Sequence, residues 1–214
     1  MVRIDAHMHL YPRREDGLRE KATYEIWEYG QKPDVAFSSF GGDVEDAETA
    51  MRQGGFNHAV VTNLFAVALL PEDQHQDSRE VQAQRLIAAN RRVCGIGASH
   101  PKLSIFVAAD PTVLGGEAGA AHLREMVERH GAKGIKIHPV VQQFMPDDSR
   151  MYPIYRTCVE LGIPVLSHSG PARGGTPWAE PNSFANVVRS FPDLVLILAH
   201  LGGGAWRQTA AFAS

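Results

Sequence analysis

Apolar and polar positions divide this chain into alternating strands and helices. Six short runs, at residues 2–7, 58–64, 104–110, 133–138, 164–169 and 194–200, are mostly apolar on both faces and end in polar or turn residues. That is the pattern of parallel strands buried on two sides. Helical spacing fills the gaps between them. Residues 43–53 open on Asp43, a good N-cap, and end at Gly54-Gly55. Residues 78–94 open on Ser78 and carry Val81, Leu86, Ile87 and Val93. Residues 115–130 put Leu123, Met126 and Val127 on one face and stop at Gly131. Residues 152–161 stop at Gly162, and residues 183–190 stop before Phe191-Pro192.

The order is therefore β-α repeated, and the later strands recur about every thirty residues, the size of one βαβ unit. Even spacing favours a barrel over a doubly wound sheet, and neither a dinucleotide fingerprint nor a P-loop follows the first strand. The expected fold class is α/β, a (β/α)8 TIM-type barrel of which about six βα units are present. A full barrel usually takes about 250 residues, and the 214 residues reach Ser214 inside what should be the sixth helix. Either the C-terminal units are absent or the architecture is not a full barrel. Residues 1–214 read as one domain. An insertion at about 11–42, after the first strand, holds Tyr11, Trp27, Tyr29 and the turn-like "SSFGGD", and such insertions commonly cover a site. Six units leave two raw strand edges, so a homo-oligomer is expected.

Composition narrows the partners. Apolar residues are 44% and charged residues 21%, with a net charge of -3. This is ordinary globular composition, with no electrostatic footprint for nucleic acid or an anionic membrane. No apolar run approaches the roughly 20 residues of a spanning helix, and no secretory leader pattern opens the chain. The two cysteines, Cys94 and Cys158, fall in helical segments without zinc-type spacing. Buried thiols in a reducing, cytoplasmic compartment are expected.

The polar residues inside the strands carry the chemistry. Side chains alternate faces along a strand, so Asp5, His7 and His9 share one face, opposite Ile4, Ala6 and Met8. In "KGIKIHP", Lys136 and His138 share a face; His168 ends "PVLSH" and His200 ends "LVLILAH". All these histidines lie at the carboxyl ends of strands, the rim on which barrel enzymes build their sites. Neutral imidazole is the commonest protein ligand for zinc-like ions. Residues i and i+2 stand ~6.5 Å apart along a strand, so His7 and His9 can lean onto one ion, with His168 the natural third ligand. An open position would hold water and bring its pKa toward ~7. His200 would take that water's proton or polarise a carbonyl. Lys136 is costly inside a barrel unless it is paired, for instance with Asp5, or sits at the metal. Against these stand plainer alternatives: a lone His-x-His arises by chance, and single buried histidines are often core residues. His58 begins a strand and reads as structural. His100 reads as a surface residue, and His75, His122 and His130 as solvated.

Taken together, "DAHMH", "GIKIHP", "PVLSHSG" and "LAHLGGG" resemble the amidohydrolase superfamily. More narrowly, they resemble its amidohydrolase-2 branch, which includes aminocarboxymuconate-semialdehyde decarboxylase-like enzymes. The resemblance runs from Ile4 to about Trp206. It implies a distorted (β/α)8 barrel with one or two divalent metals, zinc foremost, acting on a small-molecule substrate. It implies His7, His9 and His168 as metal ligands and His200 as the catalytic residue of mononuclear members. Lys136 matches the lysine that bridges the metals in binuclear members; Asp5 and His138 would stand beside the site. An eighth-strand aspartate, a ligand and proton carrier in the family, has no counterpart here. Arg173, just past His168, is positioned either to pair with a substrate carboxylate or to be a solvated loop residue. Tyr11, Trp27, Phe144 and Trp178 would wall a pocket or merely pack loops.

The first expectation is a metal-dependent hydrolase that attacks a small carboxylate-bearing, ester, lactone or amide substrate with activated water. The alternatives are a nonoxidative metal-dependent decarboxylase of an aromatic or cyclic acid, and a truncated barrel without catalytic function.

Overall fold

The computed structural model describes residues 1–29, 40–172 and 175–212, except for the side chains of residues 24–29 and 212. Six parallel strands form one sheet in chain order. They are β1 (Ile4–Met8), β2 (His58–Thr62), β3 (Leu103–Ala108), β4 (Gly134–Ile137), β5 (Val165–Ser167) and β6 (Leu196–Leu198). All five pairings are parallel. Strands that follow one another without a reversal of order build a barrel wall, whereas a doubly wound sheet changes direction at a switch point. The architecture is a partial TIM barrel.

The helices are α1 (Arg14–Tyr29), α2 (Val44–Gly54), α3 (Arg79–Ser99), α4 (Gly116–His130), α5 (Pro139–Gln142), α6 (Tyr152–Leu161), α7 (Ala185–Ser190) and α8 (Trp206–Phe212). Local chemistry sets their ends. The Asp43 carboxylate accepts from Asp46 N (2.9 Å) and Ser78 Oγ from Val81 N (3.4 Å), satisfying amides that have no partner within the helix. Gly55, Gly131 and Gly162 close α2, α4 and α6 in left-handed conformation. α3 runs five residues past its expected end at Cys94, through Gly95 and Gly97, because its packing against β3 outweighs the low helix propensity of glycine. No described helix is long and apolar enough to cross a membrane.

The two faces of the sheet carry different cores. Ala59, Val61, Ile135, Ile137 and Val165 pack outward against Met126, Ile154 and Cys158 of the helices, all fully buried. Inside the wall a smaller cluster of Val60, Phe106, Leu166 and Ala199 forms a floor. Gly134 makes room for it, since a Cβ there would lie 2.8 Å from the Phe106 ring. Lys136 and His138 rise above that floor on the same face of β4. Cys94 and Cys158 are buried free thiols, as expected, and burial pushes them up to about 11 and about 12.

The excursion after β1 carries α1. Tyr11 N donates to Gly42 O (2.8 Å). Asp46 Oδ2 accepts from Gly41 N (2.6 Å) and Gly42 N (3.1 Å), and the same carboxylate takes Arg14 at 2.8 Å. Gly17 must lack a side chain, because a Cβ would fall 1.6 Å from Gly41 O. At the two sheet edges the pattern of burial breaks: Ile4 on β1 is 52% exposed, and Val195 beside β6 is 58% exposed.

A buried polar knot ties the outer helices to the wall. Asn90 Oδ1 accepts from Asn63 Nδ2 (2.9 Å) and Ala108 N (2.8 Å), while Asn90 Nδ2 donates to Ala108 O (2.9 Å) and faces His122 Nε2 at 3.1 Å. His122 is therefore not the solvated residue its helical position suggests; it is buried against Asn90. Asn90→Leu keeps the volume but strands the amide and carbonyl of Ala108. It is expected to cost about 3 kcal/mol in urea unfolding, and a loss below 1 kcal/mol would show that the knot is not needed.

Candidate metal centre

The mouth of the wall is built by strand ends. β1 delivers His7 and His9, and its pairing with β2 shifts register between Asp5 and Met8. Such an irregularity re-aims side chains at a barrel rim. Asp5 Oδ1 accepts from His7 N (3.1 Å), bracing the kinked segment. β4 delivers Lys136 and, one residue past its end, His138; β5 delivers His168, whose amide donates to Ile137 O (3.0 Å). β6 leads into a left-handed turn at His200 (φ 59), Leu201 (φ 53) and Gly202 (φ 79). Two successive non-glycine residues with positive φ are uncommon, and backbone strain of this kind collects at functional sites. Ser169 holds the turn, its hydroxyl bonding Ala199 O and accepting from Gly202 N.

The rings converge. His7 lies 5.1 Å from His9 and 5.2 Å from His200, centroid to centroid, and His168 lies 5.1 Å from His200. His138 stacks on His168 at 3.9 Å with planes 9° apart. Lys136 Nζ stands 3.1 Å from His7 Nε2 and is 1% exposed. The expected alternative of a Lys136–Asp5 ion pair is not formed: the ammonium turns up to the imidazoles, and Asp5 is engaged with its own strand. His9 Nδ1 meets Thr62 O at 3.0 Å. That carbonyl can only accept, so Nδ1 holds the proton and Nε2 keeps its lone pair.

Burial and mutual repulsion keep this cluster uncharged. Desolvation first, then the Lys136 charge, lowers His7 to about 2, and His9 and His168 to about 3. His138 falls well below 6.5, through burial and then His168; His200 falls too, through burial and then Lys136. Burial alone brings Lys136 down to about 7. Neutral imidazoles crowded at one partly exposed mouth are the donor set a divalent cation requires. The donors fit in chemistry but are not yet closed on a common point: among the described residues no three His, Cys, Asp or Glu side chains stand in coordinating positions.

Other expected positions separate. Arg173 lies outside the described residues, as does the side chain of Trp27. Phe144 packs in the hydrophobic core, whereas Tyr11 lines a cavity beside His9. His58 bonds Ser104 Oγ (2.9 Å), a structural contact, and His100 faces Glu48 at 3.3 Å. One supporting residue had no signal in the sequence. Gln142 is buried; its Oε1 accepts from His138 N (2.7 Å), and its Nε2 donates to Phe65 O (2.7 Å) and Ala109 O (3.0 Å). It fastens the ends of three strand–loop junctions around the rings.

A family model described as Amidohydrolase matches residues 4–214. No curated protein matches the chain. Several solved structures share the fold. An uncharacterised TIM-barrel protein from Bordetella bronchiseptica superposes with a TM-score of 0.62 at 17% identity, covering 100% of this chain and 72% of its own. The 5-carboxyvanillate decarboxylase of Novosphingobium aromaticivorans, complexed with manganese and 4-hydroxy-3-methoxy-5-nitrobenzoic acid, gives 0.70 at 16%, covering 97% and 68%. A dihydroxybenzoic acid decarboxylase from a Polaromonas species, with bound manganese and the inhibitor 2-nitroresorcinol, gives 0.63 at 20%, covering 96% and 68%.

The cluster makes the metal-free protein acid-sensitive. His7, His9 and His168 stay neutral in the fold until about pH 3 or below, but take protons in the unfolded chain below their ordinary 6.5. The unfolded state then binds more protons, so stability is present above pH 6.5 and is lost as pH falls through that window. Urea midpoints in chelator should drop steadily from pH 7 to pH 5, and the paired change His7→Asn with His168→Asn should flatten the slope. A midpoint independent of pH in the unaltered chain would contradict the half-buried, neutral cluster.

Proposed function

Because the chain belongs to the amidohydrolase family, we propose that its imidazole-lined mouth is the metal site of a metal-dependent hydrolase for a small carboxylate-bearing, ester, lactone or amide substrate. The observation that carries this reading is a chain of neutral rings from three strands, in which His9 lies about 5 Å from His7, His7 from His200 and His200 from His168. His7, His9 and His168 would hold a divalent ion, zinc being the choice their nitrogen donors favour; manganese is bound in two structures of similar fold. Once bound, such an ion supplies Lewis acidity for polarising a substrate oxygen and activating water.

The chain's own residues supply the rest. Thr62 fixes the His9 tautomer through Nδ1, leaving Nε2 for the ion. His200, outside the ligand trio and more exposed than it, is free to accept a proton from water or to hold a substrate oxygen. Lys136 approaches no carboxylate among the described residues, and an incoming carboxylate would hold its amine protonated and pair with it. His138, stacked flat on His168, holds that ring's plane. The same arrangement suits nonoxidative decarboxylation, in which a proton donor must meet the carbon that loses carbon dioxide. The decarboxylases among the structures of similar fold favour that second reading. Cys94 and Cys158, buried and free, suit a reducing compartment such as the cytoplasm, and the apolar β1 and β6 edges suit a homo-oligomer.

Metal content tests the reading directly. Protein dialysed against excess zinc or manganese should hold about one ion per chain by elemental analysis. His7→Ala, His9→Ala and His168→Ala should each lower occupancy at least about tenfold while the thermal transition of the metal-free chain persists. Full occupancy in any of the three would remove that residue from the site. His200→Ala should retain metal and lose turnover by about 100-fold or more; carbon dioxide release from aromatic acids, against ring opening of lactones, separates the two reactions.

A further inference from the structure

The cavity beside the histidine cluster shares only His9 with it. It has a volume of about 430 Å³ and sits between α1, α3 and the loop after β2. It opens to solvent past Arg13 and Arg92, and its volume is in the range of clefts that take small ligands.

Its walls have two characters. Phe65, Leu69 and Val93 are buried and apolar. Along α3, Arg85 and Arg92 stand seven residues apart, two turns on one face, and the small Ala88 and Ala89 between them leave the gap open. The cations around this cavity are unequally committed. Arg13 and Arg19 both pair with Asp16, at 3.0 and 3.1 Å. Arg85 spends its terminal nitrogen on Asp77, but its buried Nε has no hydrogen-bond partner. Arg92 has no ion-pair partner among the described residues. Tyr11 and Glu20 also line the cavity, joined by the phenol donating to Glu20 Oε1 at 2.9 Å. Glu20 is almost fully buried, and its carboxyl is raised to about 7 by that burial. It does not set a full negative charge against an incoming anion, and it offers a hydroxyl both a donor and an acceptor.

We propose that this cavity is a binding site for a small amphipathic monocarboxylate, its carboxylate toward Arg92 and its apolar body against Phe65, Leu69 and Val93. The site goes beyond the metal centre and needs no metal. A single uncommitted guanidinium matches one carboxylate better than a multiply charged phosphate, and the apolar wall asks for a hydrocarbon ring or branched chain.

The test uses the full chain in chelator, titrated with cyclohexanecarboxylate and with cyclohexanecarboxamide by calorimetry. The acid should bind saturably at one site and the amide at least about tenfold more weakly. Arg92→Gln should weaken the acid about tenfold and leave the amide unchanged. Ala89→Trp, which fills the gap on α3, should abolish binding of both while the far-ultraviolet dichroism and melting transition are retained. Adding zinc should change the acid's affinity less than about twofold. No saturable binding, equal affinity for acid and amide, or indifference to both substitutions would overturn the proposal. Binding seen only with metal would also overturn it, since it would put the acid on the imidazoles. Elemental analysis of the same samples reports separately on the metal centre, so the two readings fail by different measurements.

Discussion

A lysine amine set among imidazoles, with no carboxylate among the described residues to meet it, is the constraint on which the mouth of this barrel depends. Lys136 is 1% exposed and its nearest polar partner is another base, His7 Nε2 at 3.1 Å. Charge cannot be kept there at ordinary cost. The cluster answers by giving protons up: three rings fall to about 2 or 3 and the lysine to about 7. A fold that packs bases this way is unstable toward protons and receptive to anything that brings positive charge with empty orbitals, or negative charge with a carboxylate. Family membership and site chemistry thus point the same way, by independent arguments.

The scaffold explains how so poor an electrostatic arrangement is held. Parallel strands in unbroken order put all their carboxyl ends on one rim. Below the rim, Phe106 fills the floor because Gly134 opposite has no side chain. Around it, Gln142 binds His138 N, Phe65 O and Ala109 O, and Asn90 binds both backbone groups of Ala108. These amides satisfy strand-end groups that a helix or the next strand would otherwise have to meet. They fix the loops from which the rings project. The left-handed turn at His200 and Leu201 is held in turn by Ser169, from the neighbouring strand end.

Much of this was legible in the chain itself. The six strands fall within about two residues of their expected positions, because buried parallel strands must be apolar on both faces and stop at polar residues. Asp43, Ser78, Gly131 and Gly162 marked helix ends through the same capping chemistry that the structure displays. The five rim histidines were legible because alternation along a strand is a local rule. The partner of Lys136 was not: Asp5 shares its face of the wall, but the choice of His7 instead is made across 129 residues of sequence. His122 looked solvated by helical position and is buried, because what covers it comes from α3.

The sequence by itself determined the order of elements, the periodicity that makes them a barrel wall, and which residue types face its rim, since each depends on neighbours a few positions apart. Only the tertiary structure decided how those side chains spend their donors and charges: which base Lys136 touches, which nitrogen of His9 is taken by Thr62, where Gln142 and Asn90 clamp the backbone, and that Arg85 and Arg92 look into a cavity. Those outcomes depend on distances between segments far apart in the chain, and a pattern of period two or 3.6 carries no information about which distant atom will be within 3 Å.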